Sequence, residues 1–302
     1  RPNCLLRIEG LASSLDGRRV DVKRDRSGAG PAWAIGVATA LGLFLAGTPT
    51  MAQTPEGFNS TRPAERIEYW QKRLSEISAR LEQPDSLADV RLLFLGDSIT
   101  DFWTMGNNPW FPGARGGRAI WDETFGGRDP SSLGLNFGIS GDRTEHVLYR
   151  IQPRSEGGLG QLDRPDLEPD VIVLMVGINN SWDAETPAVD SVVAGIRAVV
   201  AAVHARKPGA QIVLQSLLPT NEAARNRDLV IPVNAALAGF AMEPDASDHV
   251  RYLDLYPVFL SPDGQQNRSF FMDGVHPNEA GYRAWRDRLV PFLSGLKDRG
   301  QA

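Results

Sequence analysis

Cysteine is almost absent from this chain of 302 residues. The single cysteine, Cys4, excludes a disulfide within the chain. Cys4 also lies in an N-terminal segment that we expect to be removed, and the remainder then offers neither a thiol nucleophile nor a thiolate metal ligand. The composition is otherwise that of an ordinary globular protein, 42% hydrophobic and 23% charged, long enough for one large α/β domain or two small ones.

Long hydrophobic runs are also missing. The main apolar stretch, 32–46, is shorter than the roughly 20 residues of a membrane-spanning helix. It follows five basic side chains within 18–26 and precedes small residues up to Ala52, which is the arrangement of a secretory signal peptide. We therefore predict an N-terminal extension and signal peptide over 1–52, cleavage near Ala52, and a secreted or periplasmic domain over 53–302. A membrane anchor is the alternative.

Positive charge is scarce outside the N-terminal segment. Residues 1–52 carry a formal charge of +3 and the whole chain carries −5, which leaves about −8 for the remainder. An acidic body without a basic stripe argues against nucleic acid as a partner.

Apolar stretches of strand length alternate with helix-patterned segments from residue 90 onward. The predicted strands are 92–95, 133–137, 171–176, 211–217 and 250–255. The predicted helices are a segment that Pro63 begins and Pro84 ends, followed by 142–151, 187–206, 221–242 and 278–296. This alternation predicts an α/β fold with a doubly wound, five-stranded parallel sheet and right-handed crossovers. Two long connections, 104–131 and 152–169, are rich in glycine or proline, and connections of this length are usually functional or disordered.

Ser98 follows the first predicted strand in the run Gly96-Asp97-Ser98-Ile99. Ligand sites of open α/β sheets lie at the carboxyl ends of the strands, so a nucleophile at this turn would be well placed. Taken alone, a serine after a strand is more typical of a helix N-cap.

A serine nucleophile needs a base, and the chain has four histidines. His276 lies just before the last predicted helix, and Asp273, three residues earlier, could orient its imidazole. His146, His204 and His249 have surroundings that favour structural roles.

Acyl transfer also needs hydrogen-bond donors for the developing oxyanion. Gly141, after the second strand, could present a backbone N–H, and Asn179, after the third strand, could present its side-chain amide. Each residue taken singly is equally typical of a turn or a cap.

Taken together, these blocks resemble the SGNH (GDSL) hydrolase superfamily. They occur in the family's order: Gly96-Asp97-Ser98-Ile99, the Gly141 segment, Gly177-Ile178-Asn179-Asn180 and Asp273-Gly274-Val275-His276. The segment 136–150 and the run Leu217-Leu218-Pro219 are most similar to the branch that contains the catalytic subunits of platelet-activating-factor acetylhydrolase.

The resemblance implies a flavodoxin-like three-layer α/β/α sandwich with strand order 2-1-3-4-5. It implies Ser98 as nucleophile, His276 as base and Asp273 as the residue that orients it. The N–H groups of Ser98 and Gly141 and the side chain of Asn179 would form the oxyanion hole. The resemblance implies no metal and no organic cofactor, and because the branch forms dimers it leaves a homodimer open.

We therefore expect an esterase that cleaves short acyl esters, acetyl above all, through an acyl-enzyme. The alternatives are a carbohydrate O-acetyl esterase, a lysophospholipase or lipase, and a non-catalytic carbohydrate-binding module on the same fold. Phe102 and Trp103 could close the acyl pocket, which disfavours long chains. For the carbohydrate alternatives, the candidate side chains for stacking on sugar rings are Trp110, Trp121 and Trp182.

Overall fold

The computed structural model describes residues 57–66, 69–182 and 185–300. The predicted signal peptide over 1–52 and its cleavage near Ala52 lie outside the described residues.

Five parallel strands form one sheet in the order β2-β1-β3-β4-β5, which confirms the predicted fold class and strand order. The strands are β1 (Leu92–Gly96), β2 (Gly134–Gly138), β3 (Val171–Met175), β4 (Gln211–Gln215) and β5 (Val250–Leu253). Every residue of the inner strands β1 and β3 is buried, as expected for apolar strands covered on both faces. Leu93 of β1 lies opposite Leu135 of β2 and Ile172 of β3.

Eight α-helices accompany the sheet in the described part of the chain. They are α1 (Tyr69–Glu82), α2 (Ser98–Asp101), α3 (Arg118–Thr124), α4 (Thr144–Ile151), α5 (Ala188–Arg206), α6 (Ala223–Arg225), α7 (Ile231–Phe240) and α8 (Glu279–Gly300). α5 packs against α4 and α7, and α3 packs against α8. α5 is long and apolar enough to span a membrane, but Val192, Ile196, Val199 and Val203 of this helix are buried in the protein core.

The prediction that Pro63 begins the first helix is wrong. Residues 63–66 are not helical, and the described part of the helix starts at Tyr69. Tertiary contacts hold the preceding segment instead, since Ala64 N–H donates to the carbonyl of Glu145 and Arg66 reaches the carbonyl of Ser140.

The prediction of an unstructured connection over 104–131 is also wrong in part, because this segment contains α3. Trp121 of α3 packs against Phe94 of β1 with ring centroids 4.9 Å apart. Trp103 packs against Trp285 of α8 at 5.0 Å. Burial of these rings in the core leaves Trp121 unavailable to a sugar and Trp103 unavailable to an acyl pocket.

The predicted helix 221–242 contains a wider turn. A π-helical segment, Asn226–Val230, separates α6 from α7. Pro232 lacks a donor N–H, and its ring excludes the carbonyl four residues earlier, so a widened turn before it keeps the helix continuous.

Asp97, rather than Ser98, caps the short helix α2. The Asp97 carboxylate accepts from Ile99 N–H at 3.0 Å, while its other oxygen, Oδ2, has no partner among the described groups. Complete burial raises the pKa of Asp97 to about 7, although the Ile99 N–H and the charge of His276 act in the opposite direction.

Replacing Asp97 with Asn keeps an acceptor for Ile99 N–H and removes this titration. Asp97 ionises near pH 3.8 when unfolded and near 7 when folded, so the unfolded state loses its proton first and wild-type stability falls between those pH values. Across this pH range, the shift in pKa lowers the free energy of unfolding of the wild type by about 4 kcal/mol. We expect the Tm of Asp97→Asn, followed by circular dichroism, to rise relative to wild type as the pH is raised through that range. Parallel curves for the two proteins would contradict the assignment.

Candidate active site

Ser98 stands at the first position of α2, directly above the carboxyl end of β1. Two glycines allow this approach: a Cβ atom on Gly96 would overlap with the carbonyl of Met175, and one on Gly138 would overlap with the backbone of Asp101. Tyr282 of α8 holds the helix from the other side by donating to the carbonyl of Ile99 at 2.7 Å.

The structure brings Ser98, His276 and Asp273 into one hydrogen-bonded chain. Ser98 Oγ lies 2.8 Å from His276 Nε2, and His276 Nδ1 lies 2.7 Å from Asp273 Oδ2. An ionised carboxylate can only accept, so the imidazole proton sits on Nδ1 and Nε2 accepts from the Ser98 hydroxyl. This is the tautomer in which the imidazole can act as a base toward Ser98.

Asp273 also organises the turn that carries His276. Its Oδ1 accepts from the N–H groups of Val275 and His276 at 2.7 and 2.6 Å. Partial burial raises the pKa of Asp273, but the hydrogen bonds and charge of His276 outweigh burial and leave this pKa below its ordinary value. Asp273 is therefore ionised at neutral pH.

Asn179 contacts Asp142, the residue that follows Gly141 in the chain. Gly141 has φ +81°, a left-handed conformation that glycine adopts without strain, and its N–H donates to no acceptor in the described part of the chain. The Asn179 amide donates one hydrogen to the carbonyl of Asp142 at 2.8 Å, which fixes its plane and leaves its second hydrogen for a ligand. The N–H of Ser98, at a helix start, is unused by the helix.

A buried ion pair that sequence reasoning missed supports this turn. Asp142 Oδ2 lies 2.8 Å from Arg150 Nε, and both side chains are fully buried. Burial raises the pKa of Asp142 to about 6, while Arg150 and Arg66 act to lower it. Arg150 also donates to Gln161 at 2.6 Å. The sequence carries no spacing signal for this pair, because Asp142 precedes α4 and only the turn before the helix brings its carboxylate to Arg150.

Asp101, Ser140 and Arg73 form a second supporting cluster that sequence reasoning missed. Asp101 Oδ2 accepts from the hydroxyl of Ser140 at 2.7 Å, and Asp101 Oδ1 lies 3.0 Å from Arg73 Nε. No pattern in the sequence links Arg73, which precedes β1, to the other two residues.

The remaining histidines lie outside this hydrogen-bonded chain. His146 Nδ1 accepts from the N–H of Arg143, and burial lowers the pKa of His146 to about 3, so this side chain is neutral. His204 and His249 stack on each other with ring centroids 3.7 Å apart. The described residues contain no group of three or more His, Cys, Asp or Glu side chains that could hold a metal ion.

Aromatic side chains border the reacting groups. Phe102 is buried with its ring centroid 5.0 Å from that of His276, and Trp110 stacks on Phe102 at 5.8 Å. Trp182, three residues after Asn179, lies under the guanidinium of Arg225 at 4.3 Å. Trp110 and Trp182 are 46% and 48% exposed, so both can contact a ligand.

This chain is similar to known proteins in sequence and in fold. Human platelet-activating factor acetylhydrolase IB subunit alpha1 is 34% identical over 192 residues, which cover 60% of this chain and 72% of the relative. The alpha2 subunit from Rattus norvegicus is 31% identical over 204 residues, covering 67% of this chain and 74% of the relative. The solved structure of a GDSL-like lipase from Bacteroides thetaiotaomicron has the same fold, with a TM-score of 0.51, 19% identity, and coverage of 76% of this chain and 98% of that chain.

The sequence profile of the GDSL-like lipase/acylhydrolase family matches residues 94–284, more than half of the chain. This range contains the carboxyl ends of all five strands. It also contains the candidate site residues Ser98, Gly141, Asn179, Asp273 and His276. The chain therefore belongs to the GDSL-like lipase/acylhydrolase family and is an ester hydrolase.

Proposed function

We propose that this protein is a serine esterase that removes short acyl groups, acetyl above all, through an acyl-enzyme intermediate. The observation that carries the proposal is the hydrogen-bonded chain from Ser98 through His276 to Asp273. A serine hydroxyl becomes a nucleophile when a neighbouring base takes its proton, and the base works best when a carboxylate fixes its tautomer.

In the acylation step, Ser98 Oγ attacks the ester carbonyl carbon while His276 Nε2 takes the hydroxyl proton. The carbonyl oxygen becomes an oxyanion that accepts from the N–H groups of Ser98 and Gly141 and from the Asn179 amide. Asp273 stabilises the imidazolium. The tetrahedral intermediate then collapses, the ester C–O bond breaks, and His276 gives its proton to the departing alcohol.

Deacylation repeats these steps with water as the nucleophile. His276 takes a proton from water, the hydroxide adds to the acyl carbon, and Ser98 leaves with the proton that His276 returns. The products are a carboxylic acid, the alcohol and regenerated enzyme. Every proton transfer runs through side chains of this chain, so the reaction as proposed draws on no metal or organic cofactor.

Two observations support a short acyl group. Relatives at 34% and 31% identity are named as acetylhydrolase subunits. In addition, the buried ring of Phe102 packs against His276, and we assign this ring as the wall that limits the length of the acyl chain. Trp103, the other candidate from the sequence, lies in the core, so Phe102 takes this role without it.

A carbohydrate O-acetyl esterase is the second candidate. The exposure of Trp110 and Trp182 favours it, because flat aromatic surfaces beside the reacting groups suit a sugar alcohol. A non-catalytic carbohydrate-binding module has lost support, since the chain belongs to a hydrolase family. Export of the protein and formation of a homodimer remain predictions. Gel filtration of the purified protein would test whether it is a dimer.

Replacing Ser98 with Ala removes the nucleophile, and we expect turnover of p-nitrophenyl acetate to fall to background. The fold should persist, because Asp97 rather than Ser98 caps α2. A fluorophosphonate probe should label wild type and Ser75→Ala, an exposed serine on α1, but not Ser98→Ala. Full activity in Ser98→Ala would overturn the proposal.

Replacing Asn179 with Ala removes one oxyanion donor. We expect kcat to fall roughly 100- to 1,000-fold, the usual effect of such a loss, with little change in KM. Steady-state kinetics measure both constants. A rise in KM at constant kcat would show that Asn179 binds substrate in the ground state and does not stabilise the oxyanion.

The acyl preference can be measured with p-nitrophenyl esters of increasing chain length. We expect kcat/KM to be highest for the acetate and to decrease through butyrate to octanoate, because Phe102 restricts the acyl side. Acetylated xylan in the same series tests the carbohydrate alternative. A maximum at octanoate or beyond would contradict the short-chain assignment and favour a lipase.

A further inference from the structure

The carboxylate of Asp101 connects α2, the helix that begins with Ser98, to the turn 139–142 that contains Gly141. Asp101 lies one helical turn after Ser98, and its own N–H donates to the carbonyl of Asp97 at 2.8 Å. Its Oδ2 accepts from both donors of Ser140, the backbone N–H at 3.1 Å and the hydroxyl at 2.7 Å. The residue before Gly141 is thus tied to the helix that begins with Ser98.

This tie acts on the peptide group that contains the oxyanion donor. The N–H of Gly141 and the carbonyl of Ser140 belong to the same planar peptide unit, so rotation about the Ser140 backbone would turn that N–H away from the oxyanion. Asp101 holds Ser140 on its N–H side, and Arg66 donates to the Ser140 carbonyl at 3.0 Å. Ser140 is therefore held on both sides of its Cα atom, which restricts the backbone rotation that would turn the Gly141 N–H away.

Arg73 of α1 completes the connection. Its Nε lies 3.0 Å from Asp101 Oδ1 and donates to the carbonyl of Gly138 at 3.1 Å, and its Nη2 donates to the carbonyl of Asn136 at 2.9 Å. One guanidinium therefore joins the end of β2 to the carboxylate that holds Ser140. Because the Asp101 and Arg73 side chains are only 8% and 17% exposed, water competes weakly for these contacts.

We propose that Asp101 is a positioning residue for the oxyanion hole: by holding Ser140 it aligns the N–H of Gly141 with the oxyanion that forms above Ser98. Asp101 acts through Ser140, does not touch the substrate, and belongs to neither the nucleophile nor its base. This inference rests on the proposed function, because an oxyanion forms only in the acyl-transfer reaction.

Asp101→Asn tests the proposal. An amide keeps one acceptor but cannot serve Ser140 and Arg73 together as a carboxylate does. We expect kcat for p-nitrophenyl acetate to fall about 10- to 100-fold with KM within about twofold, since misplaced groups cost rate rather than ground-state binding. The pH profile of kcat should keep its wild-type shape. Asp122→Asn, which removes an exposed carboxylate from α3, is the matched control and should behave as wild type.

A double-mutant cycle separates positioning from general damage. If Asp101 acts through the oxyanion hole, the loss in Asp101→Asn combined with Asn179→Ala should be smaller than the product of the two single losses, because both changes impair one set of donors. Fully multiplicative losses, or a kcat of wild-type size in Asp101→Asn, would overturn the proposal.

Ser140→Ala provides a second variant if Asp101→Asn does not fold. It removes only the hydroxyl bond to Asp101 and leaves the backbone bond, so we expect a smaller loss of kcat, about 3- to 10-fold, again at constant KM. A wild-type kcat in Ser140→Ala would contradict the inference. Ser98→Ala separates failure of the proposed function from failure of this inference. If Ser98→Ala is inactive while Asp101→Asn and Ser140→Ala behave as wild type, the proposed function stands and only the role of Asp101 is wrong.

Discussion

The chemistry of this site depends on close contacts between backbone segments at the carboxyl ends of the strands. At Gly96 and Gly138 a Cβ atom would overlap with backbone atoms of β3 and α2. Without side chains at these positions, α2 can begin directly over the sheet and the segment after β2 can pass beside it. The helix that begins with Ser98 then contacts the segment that leads to Gly141, although 43 residues separate Ser98 and Gly141 in the chain. This proximity is set by backbone packing, before any reacting side chain contributes.

Charge buried under the site stabilises that arrangement at a cost. Asp142 and Arg150 are removed from water entirely, and such a pair is stable only because each group finds several partners. Asp97 lies fully buried beside them with one unpartnered oxygen, and burial shifts its pKa to about 7. An apolar substitute would avoid these desolvation costs. It would also leave the turn around Gly141 without the directional bonds that hold the proposed oxyanion donor in place. Asp101 supplies a bond of the same kind through Ser140.

The connection 104–131 divides its aromatic residues between stability and recognition. Trp121 enters the core under β1, whereas Trp110 stays half exposed and stacks on Phe102, which contacts His276. Trp182 lies three residues after Asn179 in the chain, and its ring packs under the guanidinium of Arg225. The residues that border the site are thus distinct from the hydrogen-bonded chain beneath it, so the fold and the reaction class do not determine the substrate.

Strand positions could be predicted from local patterns, and the candidate site residues from four ordered blocks that resemble a known family. Buried parallel strands are continuous apolar runs, and Ser98, Gly141, Asn179 and His276 each follow a strand or precede a helix. Local patterns could not separate a buried tryptophan from an exposed one, find α3 within a glycine-rich connection, or link Arg73 to Asp101, because those outcomes depend on contacts between segments distant in sequence. The sequence by itself determined the succession of the five strands along the chain and the candidates for the reacting groups. Tertiary structure alone decided which charges align them, since hydrogen bonds are directional and their partners meet only after the sheet has formed.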